Sequence, residues 1–196
     1  MALRQLDRIM EVLESRQQLP ELLPAGVWNS ALDEEIAALD SLPGAASKAM
    51  IALKAGLHLC NDSLDKSHSY SQEIEDDATG CYWHGLMHRM EGDYSNAKYW
   101  FYNAGAHPAL GTIGRNAAQW LSRMEISAKA EGRMADMLQE MGRQQAWNPA
   151  LLTDAVALQE SGRAGEDTRE ILQHLQQLEL AGLLAYSRDA AASGNR

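Results

Sequence analysis

Positive charge, cysteine, β-branched residues and long apolar runs are all scarce in this chain. Across 196 residues there are 17 Lys and Arg against 27 Asp and Glu, a formal net charge of −10. A phosphate backbone is repelled by such a field, and no Lys/Arg cluster relieves it, so nucleic-acid binding is disfavoured. The same balance argues against anionic membrane surfaces. No uninterrupted apolar run approaches the roughly 18 residues of a membrane span. The opening M-A-L-R-Q-L-D-R-I-M-E-V-L-E is amphipathic with mixed charge and lacks the apolar core of a signal peptide. A cytoplasmic location is the expectation. The two cysteines, Cys60 and Cys81, make no C-x-x-C pair and no disulfide framework. Both fall in predicted helices beside apolar residues, where buried free thiols are expected.

Familiar chemical signatures are missing as well. There is no G-x-x-x-x-G-K-[ST] and no G-x-G-x-x-G, hence no recognisable phosphate-cradling loop. There is no G-x-S-x-G nucleophile elbow and no E-x-x-H pair of the kind a di-iron bundle needs. Nucleotide-driven, serine-hydrolase and ferritin-like chemistry are all disfavoured.

Ala, Leu, Met, Gln and Glu dominate instead, beside a single Phe and sparse Val and Ile. These are strong helix formers, and the residues that favour strands are few. The composition predicts an all-α fold, an irregular stack of helical hairpins in one domain. A chain of this length buries roughly 70% of its unfolded surface, so a core needs no covalent staple.

Leu3, Leu6, Ile9, Met10 and Leu13 recur at helical spacing and predict a first helix over 3–18. Pro20 and Pro24 break the chain. A helix is predicted near 30–41 with Ser30 as its N-cap, ended by Ser41-Leu42-Pro43-Gly44. These N-terminal helices occupy 1–44. A repeat-like core over 45–108 comprises helices at 46–60, 63–75, 78–91 and 94–105, halted at His107-Pro108. The C-terminal helices of 109–189 follow. Residues 112–141 are helical in pattern with a break near Gly132, and a last pair spans 149–161 and 166–187, turning at Gly162 to Gly165. The small, polar tail 190–196 is expected to fray.

The densest chemistry lies in Trp83 to Pro108, W-H-G-L-M-H-R-M-E-G-D-Y-S-N-A-K-Y-W-F-Y-N-A-G-A-H-P. His84, His88 and Glu91 stand at i, i+4 and i+7, which stacks them on one helical face. Two imidazoles and a carboxylate so placed can grip a divalent transition metal. The spacing lacks the internal glutamate of H-E-x-x-H and is a short motif. Hydrogen-bonded structural histidines paired with Glu91, Asp93 or Asp65 are the plainer reading. A metal-free acid/base pair, Glu91 with His88 or Asp65 with His68, is a further one. His58, His68 and His107 can approach the first pair if the hairpins stack.

Arg89 offers a planar fork to a carboxylate ligand, or pairs with Glu91, Asp93 or Asp65. Of the aromatic group, Phe101, Tyr94 and Trp83 are expected in the core, while Tyr99 and Tyr102 can line a groove. Along the last helix Ile171, Leu172, Leu175, Leu178, Leu183 and Leu184 form a wide apolar face. It is expected to close the stack or to make a homodimer seam. His174 is isolated there and expected at the surface.

Shifting Asn61–Ser71 by 30 residues lays it on Glu91–Phe101, with both turns superposed, which reads as an internal repeat. The stretch from Cys81 resembles the tetratricopeptide repeat, W-x2-L-G-x2-Y, then A-x3-F, then P. Gly85, Ala97, Phe101 and Pro108 fall at its glycine, alanine, phenylalanine and proline. The departures are Cys81 for Trp, His84 for Leu and His88 for Tyr, so two positions that usually pack between the helices are imidazoles. The resemblance covers roughly 46–108. The 83–108 block also resembles a group of uncharacterised bacterial and fungal proteins sharing W-H-x-x-M-H-R-x-E-G-D-Y-x-N-A-K-Y-W-F, which implies a helical fold and transfers no activity. The expected function is a binding or scaffold module. His58, His68, Arg89, Tyr99, Tyr102 and His107 would hold a peptide, protein or small acidic ligand. The competing expectation is a metal-dependent or acid/base enzyme centred on His84, His88 and Glu91.

Overall fold

The computed structural model describes residues 2–41 and 44–193, with side chains from residue 4 onward. The Leu3 side chain, Leu42, Pro43 and residues 194–196, which carried expectations above, lie outside the described residues. Among those described are ten α-helices and no strand, as the composition predicts. Among the described residues no helix is long and apolar enough to cross a membrane.

Helix α1 (Ala2–Glu14) packs on α2 (Ser30–Ala37), which tightens into a 3-10 turn over Ala38–Ser41. The cap of α2 is Asn29, not Ser30: the Asn29 side chain accepts from Leu32 N at 3.1 Å. An Asx carbonyl one residue earlier reaches the orphan N–H groups, and Ser30 is already helical. Helices α3 (Lys48–Cys60) and α4 (Leu64–Gln72) form the first hairpin, and α5 (Ala78–Glu91) and α6 (Tyr94–Ala104) the second. Then come α7 (Leu110–Leu121), α8 (Gly132–Arg143), α9 (Pro149–Glu160) and α10 (Asp167–Ser193). The predicted 112–141 helix is thus two helices. The gap is wider than a kink at Gly132 and contains a short 3-10 turn over Ile126–Ala128.

The two hairpins turn alike. Asp62 and Gly92 both take a left-handed φ, 58° and 90°. Ser63 N donates to His58 O, and Asp93 N donates to His88 O, each at 2.9 Å. Glycine takes that conformation without strain, while Asp62 is held in it by Arg16, whose Nη2 lies 2.7 Å from Asp62 Oδ2.

Helix α5 lies between α4 and α6, with α3 behind it, and every residue from Gly80 to Met90 is buried. Gly85 makes the approach of α6 possible, because a Cβ there would sit 2.6 Å from the Phe101 ring and 3.1 Å from Ala97 O. Helix α10, 27 residues and so about 40 Å long, runs against α3, α7 and α9. It reaches α5 through Trp83 Nε1, which donates to Ser187 Oγ at 3.0 Å. Ile171, Leu172, Leu175, Leu183 and Leu184 are all buried within this chain. Leu178, the sixth residue of the predicted apolar face, is only partly buried, so most of that face closes the stack within the chain. Helix α10 extends past residue 190 to Ser193, and Ala191 is buried. His174 is not free at the surface but half-buried, stacked on Trp120 with ring centroids 4.1 Å apart.

Candidate functional site: a three-histidine cluster beside an acidic, aromatic cavity

Helix α5 is capped at its N-terminus by Asp77, whose Oδ1 accepts from Thr79 N and Gly80 N at 2.8 and 3.1 Å, and at its C-terminus by Gly92 in the left-handed region. Those two stops fix the register that puts His84 and His88 one turn apart on the same face. Their rings lie 4.7 Å apart and nearly parallel, 19° between planes. His68 comes from α4 and meets both, at 4.8 Å from His84 and 5.3 Å from His88 between ring centroids. On the α6 side, Trp100 lies flat against His84 at 4.0 Å.

One ring nitrogen from each of His68, His84 and His88 falls within 4.8 Å of the others. Tetrahedral zinc with Zn–N bonds of about 2.1 Å needs nitrogens about 3.4 Å apart, so modest rotamer changes would close the set. Glu91 does not join this trio. It falls in a second cluster with His88 and Asp93.

The three rings differ in how they are satisfied. His88 Nδ1 faces Glu91 Oε1 at 2.5 Å, and a carboxylate only accepts, so the proton sits on Nδ1. Its Nε2 then accepts from Asn96 Nδ2 at 3.0 Å. His84 is 2% exposed, and neither of its ring nitrogens has a hydrogen-bond partner. Its nearest carboxylate is Glu75, with Oε1 4.0 Å from Nδ1. Burial first, and then the neighbouring His88 and His68, lower the His84 pKa to about 3, so the ring is neutral at neutral pH. A buried nitrogen without a partner costs about 1–3 kcal/mol, so two on one ring call for an explanation. His68 is half-buried and is the most accessible of the three.

Both α5 histidines therefore turn Nδ1 toward a carboxylate, Glu91 for His88 and Glu75 for His84. Metal-bound imidazoles commonly give one N–H to such a carboxylate and bind through the other nitrogen. A set of three imidazole nitrogens also suits a borderline-soft divalent ion.

The other predicted residues are dispersed. His58 is fully buried, with Nδ1 2.7 Å from Asp33 Oδ1 and its ring stacked on Tyr70. Burial lowers its pKa, against the opposing pull of Asp33. His107 Nδ1 accepts from Ala109 N at 3.2 Å, which leaves the proton on Nε2 for Thr79 Oγ1 at 3.1 Å. Burial brings its pKa to about 4. Arg89 is fully buried and pairs with none of Glu91, Asp93 or Asp65. Its Nη2 lies 2.7 Å from Glu179 Oε2 on α10, a residue equally buried. Tyr82 OH donates to the other Glu179 oxygen at 2.9 Å, and Arg89 Nε donates to Gln176 Oε1 at 3.2 Å. Phe101 and Trp83 are in the core and Tyr94 is half-buried, whereas Tyr99 and Tyr102 are exposed. Cys81 is buried, but Cys60 is only partly so.

A cavity of about 430 Å³ opens where the α4–α5 turn meets α6, lined by Glu75, Asp76, Asp77, Ala78, Cys81, Tyr99, Trp100 and Asn103. Trp100 and Glu75 thus face the cavity and His84 alike. Tyr102 does not line it. Sequence reasoning missed Glu75, which sits in an acidic turn like any solvated one, and Gln176 and Glu179, which lie more than 80 residues from Arg89. The i+16 spacing of His84 and Trp100 across a Gly-Asp turn was the one local sign that the two rings could meet. Comparison with protein-family models, with curated proteins and with solved structures found no match for this chain.

Proposed function

We propose that this chain is a helical binding module for a divalent transition metal, held by His68, His84 and His88. The observation that carries the reading is His84, a neutral, buried imidazole with two unpartnered nitrogens beside two further histidines. An ion at the centre of the trio would take up one of those nitrogens and leave Nδ1 to Glu75. Three imidazoles leave a fourth position open, as in zinc sites that bind water or substrate rather than in closed structural ones. That open position is what the enzyme alternative requires, and no reaction is assigned to it.

The tetratricopeptide-like character of 46–108 belongs to the same proposal. The matching caps at His58 and His88, and the Gly85–Phe101 approach, support reading the two hairpins as copies of one unit. Such hairpins stack because neither buries its apolar face alone. A small acidic ligand has less support: Arg89 is committed to Glu179, and the cavity beside the trio is walled by carboxylates.

The test is titration of the purified full chain with Co²⁺ and Zn²⁺, followed by elemental analysis. One equivalent of cobalt with the intense visible bands of tetrahedral coordination, abolished in both His84→Ala and His68→Ala, is the expected result. A folded wild-type protein that stays metal-free after incubation with zinc, cobalt, iron and manganese overturns the reading.

A further inference from the structure

We propose that the cavity between α1 and α10 binds a medium-chain fatty carboxylate, a single unbranched hydrocarbon tail with an ionised head. Helix α1 packs on α2, and a cavity of about 240 Å³ lies between its last turns and α10. Along α10 the wall is Gln177, Leu180, Ala181, Leu184, Ala185 and Arg188. Spacings of three and four residues put these on one helical face. Met10 and Leu13 come from α1, and Pro20 and Cys60 complete the apolar lining. Leu180 and Leu184 are buried, while Ala181 and Ala185 are exposed. The short alanine side chains leave space between two apolar helix faces instead of filling it.

The shape selects the tail. From Gln177 to Arg188 the helix rises about 16 Å, so the cavity has an elongated wall. Its volume is below the roughly 300–1,000 Å³ of pockets that hold drug-sized molecules. That combination admits one narrow chain and not a two-tailed lipid.

The polar groups select the head. Three charged side chains line the cavity, Glu14, Arg16 and Arg188. Arg16 has its charge met by Asp62 at 2.7 Å, yet its buried Nε–H has no acceptor among the described residues. Arg188 is 47% exposed, and its contact with Asp189 is 3.5 Å long, against roughly 2.7–2.9 Å for a charge-assisted bond. Donors on the two guanidinium groups are thus left over beside an apolar cavity. A carboxylate brings two acceptor oxygens that a guanidinium fork matches, whereas an ammonium head would bring only more donors. Glu14 is the one opposing charge on the lining, and it is exposed, where water and salt screen it. The head therefore sits at Arg188 and the tail among Leu13, Leu180 and Leu184. None of these residues belongs to the histidine trio, so an acidic ligand is held here away from His68, His84 and His88.

The test is isothermal titration of the full chain with octanoate below its micellar concentration, with octan-1-ol and octylammonium as the uncharged and oppositely charged controls. Saturable one-to-one binding of octanoate is expected, tighter than that of either control. Hexanoate should bind about fifteenfold more weakly, the effect of two buried methylenes. Arg188→Ala should weaken octanoate about fivefold and leave octan-1-ol unchanged, and Glu14→Gln should tighten octanoate. Ala181→Trp fills the cavity from an exposed position and should abolish binding, with far-ultraviolet circular dichroism showing the fold retained. His68→Ala removes a proposed metal ligand and should bind octanoate as wild type does, so failure of this inference is separable from failure of the metal reading. Absence of saturable binding at millimolar octanoate overturns the inference. So does octylammonium binding as tightly as octanoate, or wild-type affinity in Ala181→Trp.

Discussion

Trp100 lies flat on His84, 4.0 Å between ring centroids and 17° between planes. The indole covers one face of the imidazole and so contributes to the burial that, with the neighbouring His88 and His68, lowers the His84 pKa to about 3. The sign of the resulting pH dependence follows. In the unfolded chain the ring protonates below about pH 6.5; in the folded chain it stays neutral down to about pH 3. Between those values the unfolded state binds more protons, so stability is full above pH 6.5 and falls as the pH drops. His107, lowered by burial to about 4, acts in the same direction. Each ring contributes a slope of about 1.4 kcal/mol per pH unit inside its window. Urea midpoints measured from pH 7.5 down to 4.5 should decline accordingly. The decline should be shallower in His84→Leu, which removes one titrating ring. A slope the same in both proteins would remove His84 as its cause.

The buried pair of Arg89 and Glu179 is an all-or-nothing contact. Replacing Glu179 with Gln leaves a guanidinium without a counter-charge in the core, an effect of about 3–5 kcal/mol. The double variant Arg89→Met/Glu179→Leu removes both charges and should recover much of that loss. Equilibrium denaturation of wild type, Arg89→Met, Glu179→Leu and the double variant closes the cycle. Additive losses would mean that the two residues do not interact.

Gly85 answers to Phe101 rather than to backbone freedom. A Cβ at 85 collides with the Phe101 ring at 2.6 Å, so Gly85→Ala should cost about 1–3 kcal/mol as an overpacked contact. Phe101→Leu shortens the obstructing side chain and should restore part of the loss in the double variant. The thermal midpoints of the two single variants and the double variant decide it. A harmless Gly85→Ala would mean that α5 and α6 can part without penalty.

How much of this was legible beforehand depended on range. The all-α class and the order of the hairpins followed from Ala, Leu and Glu, from the Pro stops, and from the Asn61-Asp62 and Gly92-Asp93 turns. These are local signals that near neighbours express. The His84–His88 pair was equally local, since helical pitch alone puts i and i+4 together. His68 as their partner required knowing how α4 lies on α5. Asn29 displaced Ser30 as a cap because both are capping residues and only the backbone path chooses between them. Arg89 finding Glu179 instead of Glu91, Asp93 or Asp65 was illegible. The choice is made by α10 crossing the core, and no periodicity near residue 89 encodes it.

His68 and His174 make a matched pair of controls for the metal reading. Both are half-buried histidines on helices, but only His68 has other imidazoles at ligand spacing; His174 has Trp120. A ligand that binds only the folded state raises stability by about 2.7 kcal/mol at a concentration one hundred times its dissociation constant. Zinc should therefore raise the thermal midpoint of wild type and of His174→Ala alike, and leave that of His68→Ala unmoved. Chelator should reverse the rise. Since metal binding competes with protons for the imidazoles, the zinc-dependent increment should also shrink as the pH falls toward 5. An increment that survives His68→Ala would place the zinc elsewhere, with the exposed Glu91 and Asp93 beside His88 the next site to examine. An increment lost equally in His174→Ala would mark nonspecific histidine binding instead of a built centre.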